Sequence, residues 1–351
     1  MPTPNFTEIL PSSLKPSSHT HITSLWSNYG HIYRLTFPSH PPLILKLIQP
    51  PPTPRTASES HIRKLLSYRA ERHFYTHLSH HLTPHSPIAT PHPISAAYTD
   101  AALLIDDLTK TFPLSPSHRY SPAHTSAVIR WLANFHAAYW GWGEAAELEL
   151  IPPPLQAAAP DEARGVWQRG GYWYLDTRAE EMQCLLDDDG DGGYAFLLPH
   201  VQAVAERLRV RPGDLGATLM HGDCKGANIV FAPPGGDGEV RCALYDFQYV
   251  GVGLGVQDLA YFLGTSVDVR LLEGGGEDAL LRGYYDELVA ALGRRGVEVG
   301  GYTWEVLVGQ WEWALVDWMR FMAGWGCWGN SRWVEGRARR ICERWVREGM
   351  E

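Results

Sequence analysis

No part of the 351-residue chain approaches the roughly 18 uninterrupted apolar residues a membrane-crossing helix needs, and the opening MPTPNFTEILPSSLKPSSH carries no apolar signal core. Neither membrane spanning nor export is expected, and a cytoplasmic location fits. The five cysteines, Cys184, Cys224, Cys242, Cys327 and Cys342, are odd in number, scattered and without a CxxC pair, so neither a disulfide framework nor a zinc site is indicated. A surplus of positive charge is missing too. With 30 Lys and Arg against 39 Asp and Glu, the net charge is −9, which argues against general affinity for nucleic acid. Glycine is nearly absent from the first 125 residues, which hold one of the 34, Gly30, together with 13 of the 16 histidines. That stretch has 10 basic against 6 acidic residues, or +4, and the remainder 20 against 33, or −13. The shift marks either a lobe boundary or a coding bias. No internal repeat is visible.

Against these absences stands a composition, 44% hydrophobic and 20% charged, that suits one bilobal unit or two domains. Segments 11–20, 49–60, 187–193 and 235–238, rich in Pro, Ser, Thr, Gly or Asp, read as flexible surface chain. HIYRLTF (31–37), LILKLI (43–48) and ALLIDDL (102–108) read as strands of one antiparallel sheet, and 61–82 reads as a helix between the second and third. In 125–140, Val128, Trp131, Leu132, Phe135 and Tyr139 fall on one helical face. Further helices are expected at 199–209, 278–292 and 304–323. The fold class is therefore α+β: a small sheet with one helix, then a larger and mainly helical part.

The chemistry concentrates in LMHGDCKGANIVFAPPGGDGEVRCALYDFQ (219–248). Asp223 precedes Asn228 by five positions, the separation found in the protein-kinase catalytic loop, where the Asp accepts a hydroxyl proton and the Asn holds Mg²⁺. IVFA and VRCALY flank the turn-rich PPGGDG as a hairpin, which returns Asp246, followed by Phe247 and Gln248, toward the same place. Asp246 would offer hard oxygen ligands to a cation. Singly, an HGD is a turn and a DF a strand end; in this order they point to one site. Upstream, Lys46 is the lone charge in LILKLI, either snorkelling from an edge strand or bonded to phosphate and paired with Glu71 on the following helix. Glu71 has a rival reading as a partner in solvated helix pairs with its basic neighbours.

HGDCKGAN followed by YDFQYVGVGLGVQDLAYFL, with LILKL, ERHFY, LLIDDL and LANFHAAYW, resembles the aminoglycoside phosphotransferase and choline kinase superfamily, in particular its ecdysteroid-kinase-like, CHK-type branch. The resemblance spans most of residues 28–265 in order. It implies a protein-kinase-like bilobal fold, with an N-lobe at 1–107 and a C-lobe at 108–351. It also implies ATP- and Mg²⁺-dependent phosphorylation of a hydroxyl on a small molecule such as an amino-alcohol, aminoglycoside, sugar or sterol. By position, Asp223 would be the catalytic base, Asn228 and Asp246 the Mg²⁺ ligands, Lys46 the phosphate contact and Glu71 its partner. Leu104, Ile105, Asp106 and Asp107 would form the hinge that holds adenine. Lys225 either contacts the transferred phosphoryl group or is a surface charge.

The chain departs from that pattern in two places. WSNYGHIYRL (26–35), where a phosphate loop would lie, has one glycine and no GxGxxG cradle, and Gln248 replaces the Gly of DFG. Asp258 reads as a structural partner of the catalytic-loop backbone, and His221 as a brace for Asp223. Trp140, Trp142, Trp167, Trp173 and the segment GGYWYLDTRAEE (170–181) are placed by the resemblance at the acceptor pocket, the tryptophans either as an aromatic cage or as ordinary core. The −13 balance of the later part mildly favours a cationic or neutral acceptor. Two rivals remain open: an inactive ATP-binding scaffold, suggested by the poor glycine loop, and a protein kinase, disfavoured by the lack of an APE segment.

Overall fold

The computed structural model describes residues 4–52, 58–115, 119–142, 148–157, 162–187, 193–211, 213–236 and 238–349. Its first part is a five-stranded antiparallel sheet in the order β1-β2-β3-β5-β4, from β1 (Ser18–Ser24), β2 (Gly30–Thr36), β3 (Leu43–Ile48), β4 (Pro91–His92) and β5 (Ala102–Asp106). A short α1 (Phe6–Ile9) covers one face and α2 (Glu59–His73), continued by a π-helical turn Phe74–Leu78, lies on the other. The period of two in a strand divides β3 between these faces. Leu43, Leu45 and Leu47 join Phe6, Ile9, Leu35 and Leu104 in one core, while Ile48 packs with Tyr29 and Tyr68 on the side of α2. Lys46 shares parity with Ile48, so it is directed toward α2.

The helical part comprises α3 (Pro122–Ala138), α4 (Ala179–Asp187), α5 (Val201–Arg207), α6 (Gly255–Thr265), α7 (Gly276–Arg294), α8 (Trp304–Trp325) and α9 (Ser331–Glu348). Threaded through it is a four-stranded sheet, β6 (Leu150–Ile151), β7 (Val166–Trp167), β11 (Gly251–Leu254) and β8 (Ala217–Met220), in that spatial order. The hairpin of β9 (Ile229–Phe231) and β10 (Cys242–Leu244) completes the strands among the described residues. The α+β class, the three early strands, the long helices and the hairpin agree with the sequence reading.

Some expectations need correction. Residues 18–20 of the stretch read as flexible chain belong to β1, and Glu59 at the end of another opens α2, with the Ser58 side chain accepting from His61 N as its N-cap. Residues 53–57, 188–192 and 237, within other stretches given the same reading, lie outside the described residues. Helix α3 starts at Pro122, earlier than the periodicity suggests, because Ser121 caps it and Pro suits the first turn. The small sheet was not anticipated: β11 reads GVGL, half glycine and short of strand-forming residues.

Phe247 locks the two parts together. Fully buried, it stacks on Phe74 at 4.2 Å, meets Tyr75 edge-on at 5.5 Å, and lies 4.6 Å from the His221 ring. Replacing it by Ala removes an aromatic ring from a site walled on several sides, so Phe247→Ala is expected to cost about 3–5 kcal/mol of unfolding free energy in chemical denaturation.

Candidate active site

The catalytic-loop segment leaves β8 at Met220 and turns through Gly222, whose φ of +78° belongs to the left-handed region. A Cβ there would stand 2.1 Å from the Tyr249 carbonyl oxygen, so only glycine allows the turn. The turn is held from beneath by Asp258 on α6. This fully buried carboxylate accepts from His221 N at 2.6 Å and from Gly222 N at 2.9 Å, and pairs with His136 Nε2 at 3.2 Å. His221 in turn places its ring between Asp223 N, at 3.2 Å from Nδ1, and the Tyr245 carbonyl, at 3.1 Å from Nε2. Burial holds its pKa down despite Asp258 and Asp223, which favours a neutral brace.

Asp223 is nearly buried, and three neighbours donate to its carboxylate. Tyr261 OH reaches Oδ1 at 2.9 Å, and Lys225 Nζ and Asn228 Nδ2 each reach Oδ2 at 2.9 Å. Asn228 Nδ2 also donates to the Asp223 carbonyl at 2.9 Å, so its amide oxygen is left for another partner. Burial raises the Asp223 pKa above the ordinary value; Lys225 opposes the shift and Asp246 adds to it. That interaction places Asp246 within electrostatic reach of Asp223. Asp246 follows β10 with φ of +67°, a costly conformation for a residue with a side chain. Gln248 is tied down: its carbonyl accepts from Trp167 Nε1 at 2.8 Å and its side chain from Ser67 on α2 at 3.3 Å.

Lys46 joins the two parts. Its Nζ donates to Glu71 Oε2 at 2.5 Å and to Asp246 Oδ1 at 3.1 Å, with both Lys46 and Glu71 buried. Burial disfavours the ammonium, but Asp246 and Glu71 outweigh it and its pKa is raised. For Asp246, burial pushes upward and Lys46 prevails, leaving it below its ordinary value. Glu71, the deeper carboxylate, is lifted by burial. Lys46 is thus a buried, doubly paired cation, which excludes the snorkelling alternative. Glu71 is not a solvated helix pair, since Arg72 pairs with Asp100 at 2.7 Å instead.

The structure brings Lys46, Glu71, Asp223, Lys225, Asn228 and Asp246 into one cluster. Residues 104–107, expected to form the hinge, lie at the end of β5 and just after it, beside the strand of Lys46. Leu104 and Ile105 sit between β3 and β4, with main-chain partners on both sides, while Asp106 N donates to Thr90 O at 3.0 Å and Asp107 N to Pro42 O at 3.3 Å. Those N–H groups are already used. The Asp106 carboxylate meets His92 at 2.6 Å and that of Asp107 meets Arg34 at 2.6 Å. The turn between β1 and β2 closes on itself likewise, Asn28 N donating to Leu25 O and Tyr29 N to Trp26 O. Trp142, Trp167 and Trp173 are buried, and Trp140 packs on Tyr302 at 4.8 Å, which agrees with the ordinary-core alternative of the sequence reading. The rings beside Asp223 are tyrosines instead: Tyr261, Tyr172, whose OH lies 3.0 Å from that of Tyr261, and Tyr249, 4.9 Å from Tyr172 between ring centres. All three lie in stretches that the sequence reading quotes, Tyr249 and Tyr261 in YDFQYVGVGLGVQDLAYFL and Tyr172 in 170–181, but no spacing among them marks the rings out.

Among the described residues no three His, Cys, Asp or Glu side chains stand together as a metal cage. The Asn228 amide and Asp246 carboxylate are hard oxygen donors of the kind Mg²⁺ takes in ones and twos, with phosphate and water completing its shell. The donor set fits that use.

The sequence matches the phosphotransferase enzyme family over residues 21–294. No curated protein matches. Among solved structures, a choline kinase from Cryptosporidium parvum Iowa II is similar with a TM-score of 0.50 at 8% identity, over 97% of this chain and 94% of that one. An amicoumacin kinase in complex with AMP-PNP, Ca²⁺ and Ami gives 0.49 at 14% identity, over 97% and 91%. A spectinomycin phosphotransferase with ADP and spectinomycin gives 0.46 at 10%, over 99% and 97%. At these identities the likeness is one of fold.

The Asp258 brace is directly testable. Asp258→Asn turns an NH₂ toward one of two buried N–H donors and leaves at least one unpaired, so it should cost about 1–3 kcal/mol. Amide hydrogen exchange at His221 or Gly222 should accelerate before distant core amides do.

Proposed function

Because the chain belongs to the phosphotransferase enzyme family, we propose that it transfers the γ-phosphoryl group of Mg²⁺-ATP to a hydroxyl of a small molecule, within the CHK-type branch of that family. The observation that carries the reading is the convergence of Lys46, paired to Glu71, with Asp246, Asn228 and Asp223. No helix among the described residues is long and apolar enough to cross a membrane; a cytoplasmic setting and an N-lobe at 1–107 followed by a C-lobe at 108–351 belong to the same proposal.

In this mechanism Lys46 binds the nucleotide phosphates and Glu71 aims it. Asn228 and Asp246 would hold Mg²⁺, which supplies neutralisation of the charge that develops on the transferring group. Asp223 accepts the acceptor's proton as its oxygen attacks phosphorus, and the bond to the leaving ADP oxygen breaks with its electron pair. Tyr261, Asn228 and Lys225 orient Asp223, and Lys225, about one-third exposed at its side chain, is positioned to meet the transferred phosphoryl group. With the β1–β2 turn closed on itself, the burden of phosphate binding falls on Lys46. Residues 104–107 remain the proposed adenine contact, with the N–H groups of Asp106 and Asp107 already bonded within the protein.

The deciding experiment is ATP consumption against amino-alcohols, sugars, aminoglycosides and sterols, with thermal stabilisation by ATP measured with and without Mg²⁺. ATP binding without consumption on any acceptor would favour the scaffold. Asp223→Asn should lower turnover at least ~100-fold, within the usual span of general-base contributions, with ATP affinity nearly intact. Loss of ATP affinity instead would remove Asp223 from the role of base.

Lys225 gives a pH test. A base must be ionised to act, and Lys225 is the main group lowering the Asp223 pKa. Lys225→Met should therefore move the acidic limb of kcat to higher pH, so that activity is lost sooner on acidification. An unmoved limb would separate Lys225 from Asp223.

A further inference from the structure

Beyond the tyrosines next to Asp223 lies a charged cluster for which the phosphoryl-transfer machinery has no use. Arg178, at the entry to α4, is 3% exposed. Its Nε donates to Tyr172 O at 2.7 Å and its Nη1 to Glu181 at 3.2 Å, while its Nη2 is buried without a hydrogen-bond partner. Arg63, on the first half of α2, is 9% exposed; its Nη2 lies 3.4 Å from Glu59 Oε2, and its Nη1 is likewise buried and unpartnered. The second oxygen of Glu59, Oε1, is the third such atom. These atoms belong to one neighbourhood. Electrostatically, Arg63 disfavours the charge on Arg178, both guanidinium groups favour the Glu59 carboxylate, and the Tyr249 phenol lies within reach of Arg63, Arg178, Asp223 and Asp246.

Buried guanidinium N–H groups are seldom left unbonded, because each forgoes a charge-assisted bond after losing its water. Two from different elements in one charged neighbourhood offer donors for the two oxygens of a planar anion. We propose that this cluster is the part of the acceptor site that binds a carboxylate, and that the acceptor is a hydroxy acid. This rests on the reading of Asp223 as the base that takes the acceptor's proton. The chain Arg178–Tyr172–Tyr261–Asp223 spans the two ends, since the Arg178 guanidinium lies 5.7 Å from the Tyr172 ring and the Tyr172 hydroxyl 3.0 Å from that of Tyr261. Trp325, 53% exposed, covers the guanidinium at 4.8 Å, with Tyr172 and Phe321 at 5.7 and 5.8 Å.

Three local carboxylates oppose this assignment, Glu59, Glu180 and Glu181. Glu181 is already bonded to Arg178 Nη1, and burial raises the pKa of Glu59, so its negative charge is the one most readily given up. The acidic balance of the chain as a whole does not decide the matter. Exposed charges more than about 8–10 Å away are screened by salt, whereas two buried guanidinium groups act at contact distance.

The test uses the full chain and pairs glycerate, 3-hydroxybutyrate, serine and shikimate each with its methyl ester. Melting temperatures are measured without nucleotide, and ATP consumption with it. At least one acid should stabilise the wild-type protein more than its ester and be the better substrate, with about a 10- to 100-fold lower KM, the range expected of one or two charge-assisted bonds. Arg178→Gln should abolish that preference by raising KM for the acid with kcat little changed, Arg178→Lys should restore it in part, and Arg63→Gln should act in the same direction. Where Arg178→Gln does not fold, Arg63→Gln and Arg178→Lys carry the comparison. Acid and ester performing alike with wild type, or the preference surviving both Arg63→Gln and Arg178→Gln, would overturn the proposal. Acid-selective stabilisation without ATP consumption would uphold the carboxylate site and sink the kinase reading.

Discussion

A single ammonium group buried between two carboxylates organises the protein. Lys46 stands on the central part of a sheet, Glu71 on the helix laid over it, and Asp246 on the segment after the β9–β10 hairpin. A cation taken out of water is tolerable only with close, bonded partners, so this triad constrains three elements from distant parts of the sequence. Removing either carboxylate would leave an under-compensated charge in a dry place. The arrangement adds little net stability, as buried ion pairs seldom do; its effect is to fix the relative positions of the charged groups in the cluster.

Around that triad, buried polar groups are arranged as scaffolding rather than chemistry. Asp258 accepts from two successive amides of the catalytic loop and is itself bonded to His136, whose other ring nitrogen meets Tyr284 at 2.7 Å. The loop thus rests on α6, α3 and α7 through a continuous set of bonds in a low-dielectric core, where each bond is strong and each omission costly. The strained backbone at Asp246 and the obligatory glycine at 222 are tolerated because Phe247 and this network hold the chain on both sides.

The two sides of the polar cluster differ in character. The β1–β2 turn and the end of β5 spend main-chain donors on the protein itself. On the other side Asp223 accepts from Tyr261, whose hydroxyl meets that of Tyr172, while the tryptophans of the 167–173 segment serve as core. Aromatic abundance in a sequence says little about which rings line a site, because a large apolar ring is buried first wherever the core has room.

By itself the sequence determined what repeats or follows a fixed spacing. The alternation around Lys46, the helical face of 125–140, and the order Asp223, Asn228, hairpin, Asp246 express local geometry, since neighbours in the chain are neighbours in space. The class of fold and the identity of the polar cluster were therefore legible. Tertiary structure alone decided the partners. That Lys46 also pairs with Asp246, 200 positions away, that the N–H groups of Asp106 and Asp107 are occupied, and that Arg178 bonds the Tyr172 carbonyl depend on where the fold brings separate elements. The glycine-rich β11 and the rest of the small sheet were hidden for the same reason: their strands form by pairing with distant segments, and local preference has no term for a partner that the chain has yet to meet.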